Sequence, residues 1–366
     1  MNITRIEAIP LAIPFRLRSK APAWRGREYG ALEVLLVRVE TGDGCVGWGE
    51  AFSYNCQAAV KTALDDMIAP MAIGKDASNI SGLLFEIQHV MHLYGRSGVV
   101  NYALSGLDIA LWDIAAKRAG RPLVALLGGT GATSLNLYAS LFRYDDPDSV
   151  TQAAREAIDA GYGAMKVHTR GTADVGAVRE AIGPGVPLMV DTNCAWLPAQ
   201  ARASIARLKE FDLRWLEEPL YPPENFQTLG ALQSELGVSL AIGENACTAH
   251  EFHKIVQAQA ARYLQPSVTK VGGISEFRKV AALAEVNGIT LAPHSPYFGP
   301  GFLATLHLMA SLPAVAHDFI EHFVVGLEAF PYGDALSTAG GKVSLPTGPG
   351  LGLEPDEDVI ETYRVK

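Results

Sequence analysis

The feature that most constrains the fold is a repeat that runs from Lys166 to Glu321. In each copy a short apolar run ends in a polar or charged residue, and about twenty residues of helical pattern follow. The runs read AMKVH, PLMVDTN, LRWLEEP, SLAIGEN, RYLQPS, ITLAPHS and DFIEHF. The reference residues near the ends of six runs, at steps of 26, 27, 23, 27 and 27 positions, are Asp191, Glu217, Glu244, Ser267, His294 and Glu321. This spacing indicates alternating strands and helices, and charges confined to the carboxyl ends of buried parallel strands point to chemistry rather than to packing.

An eighth apolar run, LNLYASLF, precedes the repeat and follows the pair Gly128 and Gly129. Helical patterns separate the runs, and we predict helices near 148–160, 172–182, 198–210, 224–236, 248–258, 274–287 and 301–311. Eight parallel strands with interleaved helices predict an α/β fold of the TIM-like barrel type, in which the carboxyl ends of the strands meet at one mouth. After Glu321 the chain is rich in Gly and Pro, so the final strand is not followed by a regular helix.

The first part of the chain lacks this alternation. The segments ITRIEAIPLAIPF and LEVLLVRVETGDGCVGWGEAF have the pattern of antiparallel strands, and the Asp-Gly pair at 43–44 is a hairpin signal. The segment NYALSGLDIALWDIAAKRAG has apolar residues at helical spacing and ends in a glycine. We therefore predict an α+β capping domain at 1–125, a barrel domain at 126–334 and a C-terminal tail at 335–366 that packs on the capping domain.

Composition narrows the classes of function. The formal net charge of −9 leaves no broad basic surface for a polyanion, so we expect no nucleic-acid partner. No apolar run is long enough to cross a bilayer and the N-terminus has no signal-peptide pattern, so we expect a cytoplasmic protein without a membrane partner. The four cysteines show no metal or disulfide spacing. Strand alternation places Cys194 on the face opposite Asp191, where we predict a packing role.

Three carboxylates close consecutive strands of the predicted barrel: Asp191, Glu217 and Glu244. Carboxylates brought together at a barrel mouth repel one another unless a cation lies between them. Oxygen ligands alone favour a hard cation, so we predict Mg²⁺ first and Mn²⁺ second. Glu217 and Glu218 compete for the ligand role, because alternation lets only one of them face inward.

Basic and amide side chains flank the predicted metal site. Lys166 and His168 share one face of the preceding strand, where two cations would lower each other's pKa toward neutrality and suit a proton acceptor. Asn193 shares a face with Asp191 and is a candidate to support the metal or a substrate oxygen. His294 lies at the end of the seventh predicted strand, counting LNLYASLF as the first, and faces these residues across the mouth. We predict that these side chains form a catalytic constellation.

These motifs are similar to those of the mandelate racemase and muconate lactonizing branch of the enolase superfamily. The matching segments, in chain order, are LDIALWD, AMKVH, VDTN, WLEEP, AIGEN, TKVGG, PHS and IEH. The resemblance covers nearly the whole chain. It implies a (β/α)₇β barrel with an α+β capping domain, a Mg²⁺ ion held by Asp191, Glu217 and Glu244, and removal of a proton α to a carboxylate. It also favours Glu217 over Glu218.

Removal of such a proton leaves two negative charges on one enediolate. A divalent cation and a lysine placed at its oxygens offset that charge. Lys270 of the TKVGG segment is a further candidate for this oxyanion side. We expect Glu321 to hydrogen-bond the carboxylate or a hydroxyl group of the substrate.

Two positions depart from the pattern of the family. The family often has a second lysine where this chain has His168, so either His168 or Lys166 is the base on this face. The family often pairs the strand-seven histidine with a carboxylate, and the matching residue here is Ser267. Without an anionic partner His294 is a weaker base, so we predict that it is the acid that protonates a departing β-hydroxyl. The expected reaction is dehydration of an acid sugar to a 2-keto-3-deoxy acid.

A basic segment lies between the first two predicted strands. It places five cations within twelve residues: Arg16, Arg18, Lys20, Arg25 and Arg27. The resemblance makes this segment the lid over the barrel mouth, and a basic lid would attract and bind an anionic, hydroxyl-rich substrate. A solvated charged loop is the alternative.

Other functions compete with dehydration. A racemase, an epimerase or a lactone cycloisomerase would form the same enediolate and differ in the fate of that intermediate. A non-catalytic metal-dependent sugar-acid binding protein would bind the ligand without turnover. In each case we expect a homo-oligomer whose ligand is a small hydroxy or sugar acid.

Overall fold

The computed structural model describes residues 1–17, 30–130, 134–144, 146–336 and 338–366. Within these ranges the N-terminal part of the chain forms an antiparallel sheet followed by helices. Its strands are β1 (Ile3–Arg16), β2 (Ala31–Thr41) and β3 (Val46–Ala51). Its helices are α1 (Gln57–Thr62), α2 (Ala69–Ala72), α3 (Ile80–Val90), α4 (Gly98–Arg118) and α5 (Leu123–Leu126). A π-helical segment, Ala63–Ile68, joins α1 to α2.

The predicted hairpin is present. Strands β2 and β3 pair antiparallel, and the turn between them contains Gly44 in the left-handed region at φ 80°. Helix α4 packs closely on β3. A Cβ atom at Gly49 would lie only 1.9 Å from the carbonyl oxygen of Gly106, so this contact requires glycine at position 49. Among the described residues, α4 is also the helix with the length and hydropathy of a membrane span. Most of it is buried within the protein, and this burial accounts for its apolar sequence.

The second part of the chain alternates strands and helices as the spacing predicts. Its parallel strands are β4 (Ser134–Leu141), β5 (Met165–His168), β6 (Leu188–Asp191), β7 (Trp215–Glu217), β8 (Leu240–Ile242), β9 (Tyr263–Leu264), β10 (Thr290–Leu291) and β11 (Ile320–Val324). The helices between them are α6 (Pro147–Asp159), α7 (Thr172–Ile182), α8 (Pro198–Leu208), α9 (Phe226–Leu236), α10 (Thr248–Gln257), α11 (Gly273–Asn287) and α12 (Pro300–Ser311).

The strands are arranged in the order β10-β9-β8-β7-β6-β5-β4-β11. A parallel bridge between Leu291 and His317 joins the two ends of this order, so the sheet curls into a barrel. The register pairs His168 with Asp191 and Asp191 with Glu217. Three functional candidates therefore lie side by side at the carboxyl end of the barrel. The prediction of a TIM-like barrel with an N-terminal α+β unit is confirmed.

The C-terminal segment contacts both parts of the chain. It contains β12 (Gly326–Leu327), β13 (Lys342–Ser344) and α13 (Glu357–Tyr363). Strand β12 pairs with β1, and β13 pairs with β4 of the barrel. The backbone N–H of Val365 donates to the carbonyl oxygen of Pro10 at 2.9 Å. Within the predicted tail at 335–366, Arg364 and Val365 contact β1, whereas β13 contacts the barrel. The packing of the tail on the capping domain and the domain limits at 125 and 334 stay predictions.

Candidate active site

A cavity of about 610 Å³ opens at the carboxyl ends of the barrel strands. The N-terminal unit contributes one wall, which includes Glu33, Glu50 and Phe52. The barrel contributes the opposite wall, which includes His168 and His294. The cavity therefore lies where a barrel enzyme places its chemistry, and a separate unit of the same chain closes it on one side.

Asp191, Glu217 and Glu244 come together as the sequence predicts. One carboxylate oxygen from each lies within 4.8 Å of the others. Asp191 and Glu217 are buried, and the side chain of Glu244 is 13% exposed. Burial and then repulsion by Asp191 raise the pKa of Glu244. Burial also raises the pKa of Glu217, although Lys166 opposes this shift. A group of oxygen ligands with this unfavourable charge fits a divalent cation.

Lys166 lies behind these carboxylates and is fully buried. Its Nζ atom is 2.6 Å from Glu217 Oε1, 2.8 Å from Glu321 Oε1 and 3.9 Å from Asp191 Oδ2. Burial lowers the pKa of Lys166, but the charges of Glu217 and Glu321 outweigh burial and raise the pKa well above its ordinary value. The expectation of a lowered pKa is therefore wrong. The carboxylates around the lysine therefore determine its pKa.

His168 lies at the end of the same strand and lines the cavity. Its Nδ1 atom is 2.7 Å from the carbonyl oxygen of Leu141, and its Nε2 atom is 3.1 Å from Asp191 Oδ2. Burial lowers the pKa of this imidazole, but Asp191 more than offsets burial, so the pKa is raised. The predicted lowering fails here for the same reason as at Lys166. The carbonyl contact fixes a proton on Nδ1, because a carbonyl oxygen only accepts hydrogen bonds.

Positive φ angles after two strands overturn the alternation argument. Asn193 and Cys194 have φ values of 47° and 53°, and Glu218 has 38°. Cys194 therefore lines the cavity beside Asp191, so the prediction that it faces away is wrong. Both Glu217 and Glu218 are buried near the site, but Glu217 joins the metal group whereas Glu218 accepts a hydrogen bond from the Gly243 N–H at 2.9 Å.

Asn193, predicted to support the metal or a substrate oxygen, hydrogen-bonds Asp191 instead. Its backbone N–H donates to Asp191 Oδ1 at 2.8 Å, and its side-chain amide donates to Asp191 Oδ2 at 3.0 Å. These two donors hold the carboxylate from the solvent side. Asn193 also lines the cavity.

His294 occupies the other side of the cavity. Its Nε2 atom is 3.3 Å from Glu244 Oε2, and its Nδ1 atom is 3.3 Å from the hydroxyl oxygen of Tyr297. The Tyr297 hydroxyl also contacts the hydroxyl of Ser267. Ser267 is the residue that stands where the family often has a carboxylate. Burial is the largest influence on His294 and lowers its pKa to about 3. Its Nδ1 partner is a neutral hydroxyl, so no negative charge on that side offsets burial.

Glu321 and Lys270 complete the predicted set. Glu321 Oε1 accepts from the Ser140 hydroxyl at 2.7 Å, and Oε2 accepts from the Ser295 N–H at 2.9 Å. Glu321 thus positions Lys166 while it lines the cavity. The Nζ atom of Lys270 lies 4.6 Å from the ring centroid of Phe52 on the opposite wall. Lys270 also lines the cavity, and its role on the oxyanion side stays a prediction.

The predicted basic lid lies mostly outside the described residues. Four of its five cations lie outside the described residues: Arg18, Lys20, Arg25 and Arg27. Arg16 is the last residue of β1 and is exposed. It is not among the residues that line the cavity in the described part of the chain.

Glu50, Arg143 and Tyr297 are among the cavity residues that the sequence does not signal clearly. Glu50 comes from β3 in the N-terminal unit, so no repeat in the barrel signals it. Arg143 lies two positions beyond the end of β4, outside the apolar run. Tyr297 lies three residues after His294, and this short spacing was the available signal.

Two family models match the chain. The description "Mandelate racemase / muconate lactonizing enzyme, N-terminal domain" matches residues 27–128. The description "Enolase C-terminal domain-like" matches residues 149–359. Together they cover the N-terminal unit and the barrel.

Similar proteins agree with this assignment. The 3,6-anhydro-alpha-L-galactonate cycloisomerase of Streptomyces coelicolor is 35% identical over 88% of this chain and 89% of its own length. A racemase from Streptomyces coelicolor A3(2), solved with bound magnesium, superposes with a TM-score of 0.88 at 30% identity, over 99% of this chain and 100% of that one. L-Talarate dehydratase from Polaromonas sp. JS666, complexed with Mg and L-glucarate, gives 0.82 at 30% identity, over 100% and 98%. The chain belongs to the mandelate racemase and muconate lactonizing enzyme family of the enolase superfamily.

Proposed function

We propose that this chain is a Mg²⁺-dependent acid-sugar dehydratase. The observation that carries the proposal is the grouping of Asp191, Glu217 and Glu244 beside a cavity that His168 and His294 line from different strands. The similar L-talarate dehydratase was solved with Mg and L-glucarate, which supports a sugar-acid substrate. We expect Mn²⁺ to substitute for Mg²⁺, because both ions prefer oxygen ligands.

The three carboxylates would hold the cation. When bound, a divalent cation supplies positive charge that stabilises the enediolate formed by loss of the α-proton. Lys166 adds a second positive charge from the same side, because its Nζ atom is held between Glu217 and Glu321. Lys270 adds a third from the neighbouring part of the cavity.

We assign His168 rather than Lys166 as the base. His168 lines the cavity, whereas Lys166 is fully buried and is not among the lining residues of the described chain. Nδ1 of His168 donates to the carbonyl oxygen of Leu141, so the neutral ring would carry its lone pair on Nε2. The contact of Nε2 with Asp191 Oδ2 at 3.1 Å favours the protonated ring, and a cation held by Asp191 would offset that carboxylate and favour the neutral ring. That atom is the proton acceptor. Lys166 stays charged and offsets negative charge.

His294 suits the role of acid for a related reason. The Tyr297 hydroxyl can donate to Nδ1 of His294, which leaves the ring proton on Nε2. Nε2 lies 3.3 Å from a carboxylate oxygen of Glu244, which only accepts, so this geometry is consistent with an Nε2–H donor. A neutral imidazole acts as a hydrogen-bond donor to a developing negative charge in other enzymes. The two histidines therefore present a lone pair and an N–H, respectively.

The reaction follows from these two roles. His168 takes the α-proton, and the electron pair of the broken Cα–H bond forms the second bond between Cα and Cβ as the Cβ–O bond breaks. The leaving β-hydroxyl takes the Nε2 proton of His294 and departs as water, and exchange with solvent then removes the proton from His168 and restores the one on His294. The resulting enol tautomerises to a 2-keto-3-deoxy acid.

A cycloisomerase is the second candidate. It is favoured by the 35% identity to a 3,6-anhydro-alpha-L-galactonate cycloisomerase. The same residues would carry it: if the β-oxygen belongs to a ring, the same elimination opens the ring and no water is lost. The product is then an isomer of the substrate. The cytoplasmic location and the homo-oligomeric state stay predictions.

A panel of linear sugar acids and their anhydro and lactone forms tests the proposal. Each acid is incubated with the enzyme and Mg²⁺ in D₂O and followed by NMR and mass spectrometry. We expect Mg²⁺-dependent formation of a 2-keto-3-deoxy acid with loss of water. Ring opening without loss of water would favour the cycloisomerase, and deuterium exchange alone would favour a racemase or epimerase. Binding with no turnover of any acid would overturn the enzyme assignment in favour of a binding protein.

A further inference from the structure

Arg143 is a cavity residue that the mechanism above does not use. It follows β4 by two positions, is half-buried, and lines the cavity together with Ser140 and Phe142 of the same segment. Within the described ranges, no carboxylate forms an ion pair with it and no hydrogen bond from its guanidinium is found. A partly desolvated guanidinium without a partner costs free energy, which an anion on a ligand would offset.

The acidic side chains of the N-terminal wall do not pair with Arg143. Two acids of the N-terminal wall, Glu33 and Glu50, line the same cavity. The first accepts a hydrogen bond from the Asn55 N–H at 2.6 Å, and the second accepts from the Gly301 N–H at 2.8 Å. Both carboxylates are therefore engaged with backbone groups of their surroundings. Arg143 keeps its charge for something that enters the cavity.

A second guanidinium and a group of packed aromatic rings lie near Arg143. Burial and then the charge of Arg143 lower the pKa of Arg170, so the two guanidinium groups lie near enough to repel. The neighbouring Phe142 ring lies 5.8 Å from the ring of Phe15 and 5.8 Å from that of Phe323, measured between centroids. This packing fixes the backbone beside Arg143. A positive group held in place in this way is pre-organised for an anion.

The position of Arg143 relative to the metal group defines which end of a substrate it meets. Ser140 donates to Glu321, which in turn contacts Lys166 behind the metal ligands. Arg143 lies three residues further toward the mouth, at most about 10 Å along the chain. An acid whose reacting carboxylate lies at the metal group would extend its far end toward Arg143.

We infer that Arg143 selects sugar acids that carry a second anionic group, a carboxylate or a phosphate, at the end remote from the reacting carboxylate. This inference rests on the proposed function and adds the substrate class. A fork-shaped guanidinium binds either anion through two parallel hydrogen bonds. An acid with a neutral terminal hydroxyl leaves Arg143 without such a partner.

The test compares three six-carbon acids with the same reacting end: one ends in a carboxylate, one in a phosphate and one in a hydroxyl. For the wild-type enzyme we expect kcat/KM to be at least about 30-fold higher with one of the anionic ends. Arg143→Gln should remove this preference, with a loss of about 100-fold on the preferred acid and less than about threefold on the hydroxyl acid. Arg143→Lys should retain part of the preference, because it keeps the charge but loses the fork.

Arg170→Gln is the matched control. Arg170 is exposed and is not a lining residue of the described cavity, so its loss should change each kcat/KM by less than about threefold. Equal turnover of all three acids by the wild type, or an equal loss on all of them in Arg143→Gln, would overturn the inference and leave the dehydratase intact. Failure to consume any acid would instead overturn the proposed function, and this inference with it.

Discussion

The barrel mouth and the junction between the N-terminal unit and the barrel both bury carboxylates, but in different ways. At the mouth, Asp191, Glu217 and Glu244 face one another. Asn193 donates to Asp191 and Lys166 contacts Glu217, yet the pKa values of Glu217 and Glu244 are still raised. At the junction, Asp108 accepts from the Ser275 N–H at 2.9 Å, and Asp113 accepts from the N–H groups of Trp48 and Leu351. The junction acids are satisfied by backbone donors from another element.

This contrast shows that burial of an acid does not by itself indicate function. Burial raises the pKa of both Asp108 and Glu50 to about 7, as it raises the pKa of the mouth residue Glu217. What differs is the partner. Acids that meet N–H groups hold elements together, whereas acids that meet other acids need a cation from outside.

The largest expected effect is on kcat, and an Asp-to-Asn substitution made once in each region should reveal it. Asp191→Asn removes a metal ligand from the mouth, and we expect kcat to fall by at least about 10³-fold because the enediolate loses its main counter-charge. The matched junction variant Asp108→Asn should keep kcat within about threefold. Steady-state kinetics on purified, folded variants provide the measurement. Similar losses in both variants would erase the distinction.

Within the mouth, the next effect concerns the base. His168→Gln replaces the imidazole with an amide, which can form hydrogen bonds but cannot accept the α-proton. We expect about 10³-fold slower α-proton exchange and equally slow elimination. NMR of exchange in D₂O, alongside an assay of the keto product, measures both rates. Retention of fast exchange would return the base role to Lys166.

A somewhat smaller and selective effect should follow from His294→Asn. We expect elimination to fall by about 10²-fold or more, because the departing hydroxyl loses its N–H donor. Exchange of the α-proton should persist, because His168 is intact. The same two assays test this variant. Parallel loss of exchange and elimination would identify His294 as the base and reverse the two roles.

The smallest effect is a dependence of stability on pH that comes from the junction. The pKa of Asp108 is about 7 in the folded protein and ordinarily 3.8, so between these pH values the folded state binds more protons than the unfolded state. Stability therefore falls as pH rises through this window and levels off above pH 7. Between pH 5 and 8 this group should cost about 2–3 kcal/mol of the free energy of unfolding.

Denaturant unfolding of the wild type and of Asp108→Asn, in saturating Mg²⁺, measures this dependence. Because the amide does not ionise, the variant should gain about 2–3 kcal/mol relative to the wild type between pH 5 and 8. A constant difference across this range would show that Asp108 is already ionised at pH 5 in the folded protein.

The sequence predicted the elements and the metal group well because both depend on local patterns. Strand length, helix period and the residue that ends each strand are visible in the chain itself, so Asp191, Glu217 and Glu244 could be found together. The errors arose where the backbone departs from a regular strand. Positive φ at Cys194 and Glu218 places both beside the site, which alternation excludes.

Other features depend on contacts between distant segments. The raised pKa of Lys166 reflects Glu217 and then Glu321, which lies 155 positions away in the chain but 2.8 Å away in space. Glu50 reaches the cavity from a different unit. A pattern in one strand contains no information about such partners.

Magnesium titration of metal-free protein tests the central claim most directly. We expect the wild type to bind one Mg²⁺ per chain and to recover α-proton exchange in proportion to occupancy, while Asp191→Asn shows neither at the same concentrations. Exchange that is unaffected by removal of all divalent cations, or equal Mg²⁺ binding by the variant, would contradict the account.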